Sequence, residues 1–357
     1  MSLSIGIVGL PNVGKSTLFN ALTGGSALAA NYPFATIEPN TGIVPVPDTR
    51  LQVLADMYHT QKIIPATVTF VDIAGLVAGA SNGEGLGNKF LANIRETDAI
   101  VHVVRAFSGE VVHVADEVNP KADIDVINTE LILADIQSIQ NHLPKVQKDA
   151  KFDKLAAQKV TILQKLLDSL DKGIVPQPSN TERELIDLPL LTLKPVIYLF
   201  NVDEATLTDK IRQAELASLV SPAPVVFVNA KLEEELKDLG ADDATELLSS
   251  YGIHESGLSQ LARTAYDTLG LQSYLTAGEK EVRAWTIHQG DTAPQAAGVI
   301  HTDFEKGFIA AAIVDYDDLV TLGSESAAKN AGKLRTEGRD YIMRPGDVVE
   351  FRFNVSK

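Results

Sequence analysis

The segment Gly9-Leu10-Pro11-Asn12-Val13-Gly14-Lys15-Ser16-Thr17 fits the pattern G-x-x-x-x-G-K-[ST], a spacing of glycine, lysine and hydroxyl that suits phosphate binding. Its glycines let the backbone curl until the N–H groups from Asn12 to Thr17 point inward. Lys15 supplies a point charge for β- and γ-phosphates, and the Ser16 hydroxyl can ligate Mg²⁺. Such a match arises by chance in unrelated chains, so context decides. Before it, the apolar run 4–8 reads as a strand; after it, residues 16–22 read as the first turns of a helix. Strand, glycine loop and helix together make a phosphate cradle backed by the helix dipole. A tight strand-to-helix turn without a ligand is the plain alternative.

A nucleotide site needs more than a cradle. Asp72 closes the β-branched run 68–73 and opens Asp72-Ile73-Ala74-Gly75, a D-x-x-G arrangement. Its carboxylate can hold the Mg²⁺ shell, and the Gly75 N–H can meet a γ-phosphate. Upstream, Thr36 lies between the first helix and the next strand, where its hydroxyl can close over the metal. The stretch Gly79 to Gly87 contains four glycines and suits a switch whose order depends on the γ-phosphate. Two departures stand out. Leu76 follows the D-x-x-G, where many GTPases carry a glutamine that orients water, so catalysis must be slow, use another group or need a partner. Asn201-Val202-Asp203-Glu204 stands where guanine readers carry N-K-x-D. A carboxylate in the guanine position repels adenine N1, and Asp203, one place out of register, or Glu204 could still serve guanine. These residues leave both bases open. Asn229-Ala230-Lys231 fits the last base-side loop.

These residues must be held by elements, and the pattern of the chain supplies them. Runs at 99–104, 195–201 and 224–229 each read as a buried strand ending in a polar residue, which predicts a parallel sheet with its site at the carboxyl ends. Between about 126 and 194 the text turns helical. Apolar periodicity covers 126–143, with Pro144 near its end, and again 155–170, predicting an antiparallel hairpin. Lys145, Lys148, Lys151 and Lys154 gather near its tip, either as a solvated surface or as a contact to RNA or an acidic partner. From about 278, strand patterns at 281–287, 308–314 and 348–355 predict a small α+β domain.

With 357 residues the chain is long enough for two or three domains. It has no cysteine, which excludes a disulfide framework and a thiolate metal site. Its net charge of −16 argues against unspecialised binding to nucleic acid, although the charge is uneven and the segments 126–194 and 278–357 are each nearly balanced. No signal peptide or long apolar run is evident, and a cytoplasmic protein is expected.

Taken together, the segments 9–17, 31–40 and 72–77 resemble those of the Obg-like ATPases of the YchF type, within the translation-factor-related GTPase class. The resemblance extends to Ala284-Trp285-Thr286-Ile287, to 293–298 and to 301–308, a block that looks like the family's C-terminal TGS domain. It implies a nucleotide-binding domain over 1–125 and 195–277, a helical coiled-coil insert over 126–194 and a TGS domain over 278–357. It also implies a Mg²⁺-dependent ATPase, with ATP preferred over GTP, that associates with the ribosome at the large subunit. An RNA contact through insert and TGS domain is expected, with no membrane and no DNA. By the same resemblance a loop histidine replaces the missing glutamine, and His113 holds the matching position. The expected catalytic set is therefore Lys15, Gly75 and His113. Ser16, Thr36 and Asp72 are the metal set. The nucleotide falls to Asn12, Val13, Gly14, Lys15, Ser16, Thr17, Asn201, Val202, Asn229, Ala230 and Lys231. A GTPase and a ribosome-docking module with incidental hydrolysis are the alternatives.

Overall fold

The computed structural model describes residues 3–24, 40–73, 86–107 and 118–354. By compactness the chain divides into two units, one of Met1–Gly42 with Thr69–Leu261 and one of Ile43–Val68 with Ala262–Lys357.

The first unit is built on a sheet of strands β1 (Ser4–Gly9), β2 (Thr41–Pro45), β4 (Thr67–Asp72), β5 (Ala99–Ala106), β6 (Val196–Val202) and β7 (Val225–Val228), β3 (Ile63–Ile64) belonging elsewhere. The order is β2-β4-β1-β5-β6-β7. β1 pairs in parallel with β4 and β5, β5 with β6, and β6 with β7. Ile5, Ile7, Phe70, Val101 and Phe200 are fully or almost fully buried, as expected of strands covered on both faces. Register aligns Ile7 with Asp72, Gly9 with Val103, Arg105 with Asn201 and Asn201 with Val228. The carboxyl ends of the strands thus share one edge, where loops collect into a crevice.

The hairpin inserted between β5 and β6 consists of helices Pro120–Asp149 and Lys154–Leu170. The first begins earlier than periodicity placed it, because Asn119 accepts a hydrogen bond from the Ala122 N–H at 3.1 Å and Pro120 follows as a pre-set first residue. It also runs on past Pro144. Proline forfeits one backbone bond, but Val146 beyond it is buried against the hairpin's own core of Ile139, Ala156, Ile162, Leu163 and Leu166, so packing carries the last turn. At the base, buried Asp135 accepts from the Leu191 and Thr192 N–H groups at 2.9 and 2.8 Å and from the Thr192 hydroxyl at 2.7 Å. Burial raises its pKa and these bonds pull it back. The returning chain is thereby tied to the hairpin before it enters β6.

The second unit holds β8 (Leu271–Ala277), β9 (Val282–His288), β10 (Phe308–Asp315), β11 (Arg335–Glu337) and β12 (Asp347–Phe353), in the order β11-β10-β12-β8-β9-β3. Neighbours pair antiparallel at β8/β9, β10/β12 and β10/β11, and parallel at β12/β8 and β3/β9. The helix Ala293–Ile300 lies on this sheet through Ala293, Ala296 and Ala297, all at 0% exposure, and the Tyr274 hydroxyl donates to the Ala296 carbonyl at 3.0 Å. The change of text at 278 falls inside the β8–β9 pair. Residues 43–68 join this unit through Ile63–Ile64, which pair with Val282 and Arg283. Pairings this distant in sequence leave no local pattern. Among the described residues no helix is long and apolar enough to cross a membrane.

Glu233 of the helix Ala230–Leu236 is buried and accepts from the Gly257 N–H at 2.6 Å. Burial pushes its carboxyl up to about 7, against the opposing hydrogen bonds from Gly257, Leu258 and Ser256. Unfolded, the same group titrates near 4.5. The folded chain therefore retains a proton that the unfolded chain releases. The resulting stability is fully present below 4.5, declines as pH rises and is gone above about 7. Glu233→Gln should flatten this dependence, by something on the order of 3 kcal/mol across the interval. Urea unfolding of both proteins at several pH values checks it; parallel curves would refute it.

Candidate nucleotide site

The loop after β1 owes its shape to a few residues. Asn12 and Gly14 have φ of 65° and 92°. Asparagine tolerates the left-handed region and glycine occupies it freely. At Gly14 a Cβ would fall 2.3 Å from Nδ2 of Asn201, and at Gly9 it would fall 2.9 Å from the Val103 carbonyl. Leu10 and Val13 turn into the core, at 7% and 1% exposure, and pin the loop from beneath. The helix Lys15–Gly24 starts directly, with no acidic residue in its first turn and with Leu18, Ala21 and Leu22 packed inward. Its first-turn N–H groups and dipole thus stand at the cleft with no carboxylate from the helix's own first turn.

Lys15 Nζ donates to Asp72 Oδ1, a largely buried ion pair across 57 residues of sequence. β4 carries Asp72 there, and the Asp72 N–H donates to the Asn40 carbonyl at 2.8 Å. Lysine and this carboxylate thus meet at one end of the cradle, with Ser16 the next residue along the chain. The donor chemistry fits Mg²⁺, a hard oxygen-seeking ion that keeps much of its shell as phosphate oxygens and water. Ser16 and Asp72 would serve it from the protein side. Among the described residues no group of three or more His, Asp or Glu gathers into a fuller protein cage. Thr36, Gly75, Leu76 and His113 lie outside the described residues, as do 79–85 of the glycine-rich stretch.

The base side is organised by two amides. Asn201, 4% exposed, donates through Nδ2 to the Val13 carbonyl at 2.9 Å and accepts through Oδ1 from the Ala230 N–H at 3.1 Å. Asn229 donates to the Val202 carbonyl at 2.9 Å while its Oδ1 caps the helix that follows, accepting from the Leu232 N–H at 2.9 Å. Strand end, cradle and last loop are thereby held to one another. The Val202 side chain is 1% exposed and belongs to the core, so only its backbone frames the cleft. Asp203 turns one oxygen, Oδ1, onto the Thr206 N–H and hydroxyl at 3.0 and 2.7 Å, fixing the short turn that follows.

Cradle and base loops line a cleft of about 1060 Å³, to which Asn12, Gly14, Lys15, Ser16, Thr17, Asn201, Val202, Asn229, Ala230 and Lys231 contribute. Val13 contributes through its carbonyl to Asn201. Phe107 and Glu234 also line it and were not singled out from the sequence. Phe107 follows β5, and the buried Arg105 guanidinium sits 4.5 Å from its ring centroid. A signal existed for both. Residues just past a parallel strand face the crevice, and Glu234 lies one helical turn from Lys231.

A parallel sheet that carries this cradle after its first strand and an asparagine-led base loop after its fifth in order defines a P-loop nucleotide-binding protein of the GTPase class. Residues 4–202 match the model of the 50S ribosome-binding GTPases, and 271–354 match the YchF-GTPase C-terminal model, described as a protein of unknown function. The ribosome-binding ATPase YchF of Pasteurella multocida is 53% identical over 99% of this chain and 100% of its own length. Those of Escherichia coli O157:H7 and Bacillus subtilis are 50% and 48% identical with the same coverage. The structure of the Schizosaccharomyces pombe YchF GTPase superposes with a TM-score of 0.87 at 39% identity, covering 98% of each chain. A GTP-binding protein from Pyrococcus horikoshii shares the fold, with a TM-score of 0.60 at 21% identity over 99% of this chain and all of that one. The chain belongs to the YchF family.

Gly14→Ala should be tolerated by the fold and not by the ligand. The strained φ costs about 1–3 kcal/mol, and the methyl would push Asn201 from the Val13 carbonyl. Nucleotide affinity should fall at least about tenfold with far-UV circular dichroism unchanged. Calorimetric titration of this variant with nucleotide measures it; wild-type affinity would show that the loop adapts.

Proposed function

We propose that the chain is a Mg²⁺-dependent ATPase with slow intrinsic turnover, and that its nucleotide state regulates docking on the large subunit of the ribosome. The observation that carries the hydrolase reading is the ion pair of Lys15 with Asp72 at a glycine cradle whose Lys15 and Ser16 line the cleft. Backbone N–H groups from Asn12 to Thr17 would bind the phosphates, and Lys15 would neutralise charge on the β- and γ-oxygens. Mg²⁺, when bound, supplies Lewis-acid polarisation of those oxygens. Water attacks the γ-phosphorus, the bond to the bridging oxygen breaks, and ADP and phosphate leave. Gly75 is assigned to the γ-phosphate, Thr36 to the metal and His113 to positioning the water that Leu76 cannot hold.

The preference for ATP is supported by the base segment. The Val202 side chain is in the core, and Oδ1 of Asp203 is committed to Thr206, which leaves no N-K-x-D reader in its usual form. The names of the relatives support ATP hydrolysis and ribosome binding. The GTPase reading is kept because Asp203 and Glu204 still line the cleft with carboxylates and the fission-yeast relative is titled a GTPase. Within the second unit we read 278–357 as a TGS domain, and we read 126–194 as the helical insert. A cytoplasmic location belongs to the same reading.

Calorimetry with ATP and GTP, each with Mg²⁺, should show ATP the tighter by at least about tenfold. Tighter GTP binding would hand the site to the GTPase alternative. Lys15→Ala should abolish tight binding, and unchanged affinity would remove the cradle from the mechanism. His113→Ala should cut steady-state phosphate release by about 10²-fold or more with affinity nearly unchanged; equal turnover would dismiss the histidine. Ribosome co-sedimentation that ignores nucleotide would favour a simple docking module over a switch.

A further inference from the structure

The second unit holds a hollow of its own. Every residue lining it belongs to that unit, some from the excursion 43–68 and the rest from 262–357. Its volume is about 270 Å³, roughly a quarter of the nucleotide cleft's, which gives room for a small metabolite rather than a nucleotide. The wall is fixed before any ligand arrives. Arg50 donates through Nε and Nη2 to Asp48 at 2.8 and 2.7 Å, and through Nη1 to the Pro345 carbonyl. That pair is closed on itself and adds no net charge. The buried Tyr266 hydroxyl donates to the Gln272 carbonyl at 3.0 Å and lies 2.7 Å from the Ser273 hydroxyl. Val46, Ala66 and Leu271 are buried and supply an apolar side.

Two further charges line the hollow. Arg263 and Asp267 stand one turn apart on the helix Gly257–Thr268, and both are exposed. The Asp267 carboxylate has no hydrogen bond or ion pair among the described residues. Arg263 has an interaction elsewhere, and a forked guanidinium carries donors for more than one partner. Gln272 donates to the Met343 carbonyl at 2.9 Å and Gln289 to the Leu271 carbonyl at 3.4 Å, so the atom each amide has left is its oxygen. The hollow thus offers an anion with neutral acceptors, a cation one helical turn away and an apolar side.

We propose that this hollow binds a small zwitterion of the aliphatic α-amino acid class. Its ammonium meets Asp267 and the glutamine oxygens, its carboxylate meets Arg263, and its side chain lies against Val46, Ala66 and Leu271. Charge selects the class. A simple amine would satisfy Asp267 and bring a second cation to Arg263, and a simple carboxylate would do the reverse. A neutral apolar ligand would strip water from both groups with nothing in return. Inorganic phosphate would meet Asp267 as a like charge. A molecule with both signs a few bonds apart compensates each. This site is independent of which base the nucleotide cleft takes.

The test titrates the full chain with L-valine and L-leucine, followed by NMR. Isobutylamine and 3-methylbutanoate run in parallel; each keeps the valine side chain and loses one of its charges. L-Valine should bind saturably and shift the amide resonances of Leu271, Gln272, Ser273 and Gln289. Each truncated probe should bind at least about tenfold more weakly. Asp267→Asn should weaken valine by at least about tenfold and bring it level with 3-methylbutanoate. Arg263→Gln should weaken it likewise and bring it level with isobutylamine. Nucleotide affinity and far-UV circular dichroism should be unchanged in both variants, which certifies the fold. No saturation with L-valine or L-leucine, shifts confined to the phosphate loop, or wild-type valine affinity in either variant would overturn the site. Isobutylamine binding as tightly as L-valine would leave a plain cation site and overturn the zwitterion.

Discussion

The buried amide of Asn201 is the contact on which the site depends. One side chain, at the end of β6, holds the Val13 carbonyl of the phosphate loop and the Ala230 N–H of the last base-side loop. Both bonds are sheltered, so losing either would leave an unpaired polar group away from water, which is costlier than the bond itself is stabilising. The close approach also explains Gly14, which must lack a side chain because Asn201 occupies the space a methyl would take. Cradle and base loop are thus set relative to each other before any ligand arrives, and the ordering cost on binding is correspondingly small.

Around that bridge the electrostatics are arranged by pairing. Lys15 and Asp72 neutralise each other in a place where either alone would be expensive to bury. The pair is also poised for exchange. An arriving phosphate offers the ammonium a second partner, and a hard cation offers the carboxylate one. Asp203, by contrast, has been drawn into local structure, with one oxygen spent on the Thr206 turn. Two aspartates at carboxyl ends of strands in the same sheet therefore differ in what remains available to a ligand.

Much of this was legible in the sequence because it is encoded locally. The phosphate loop is contiguous, the D-x-x-G aspartate ends an apolar run, and the asparagines at 201 and 229 follow runs of the same kind. The parallel sheet followed from those runs, and the hairpin from its apolar period. What escaped was non-local or depended on packing. Phe107 and Glu234 enter the cleft only because register brings strand ends and helix starts level. Val202 stands in a recognition motif yet faces the core, a choice made by neighbours such as Phe200 and Leu232. Pro144 read as a helix end since its missing N–H is visible in the sequence, whereas the burial of Val146 that outweighs it is not.

The excursion of residues 43–68 has a consequence for how this molecule can be taken apart. The second unit is not encoded by one stretch of gene. Its edge strand Ile63–Ile64 lies some two hundred residues upstream of the strand it pairs with. The chain passes from one unit to the other three times, at 42/43, 68/69 and 261/262. No single cut releases either half, and a fragment starting at 262 would expose β9 as an unpaired edge, the kind of surface that recruits foreign strands. Function and heredity are coupled here in a plain mechanical sense. An exchange of C-terminal segments between relatives would bring in a new β9 against an old β3, so the two must change together.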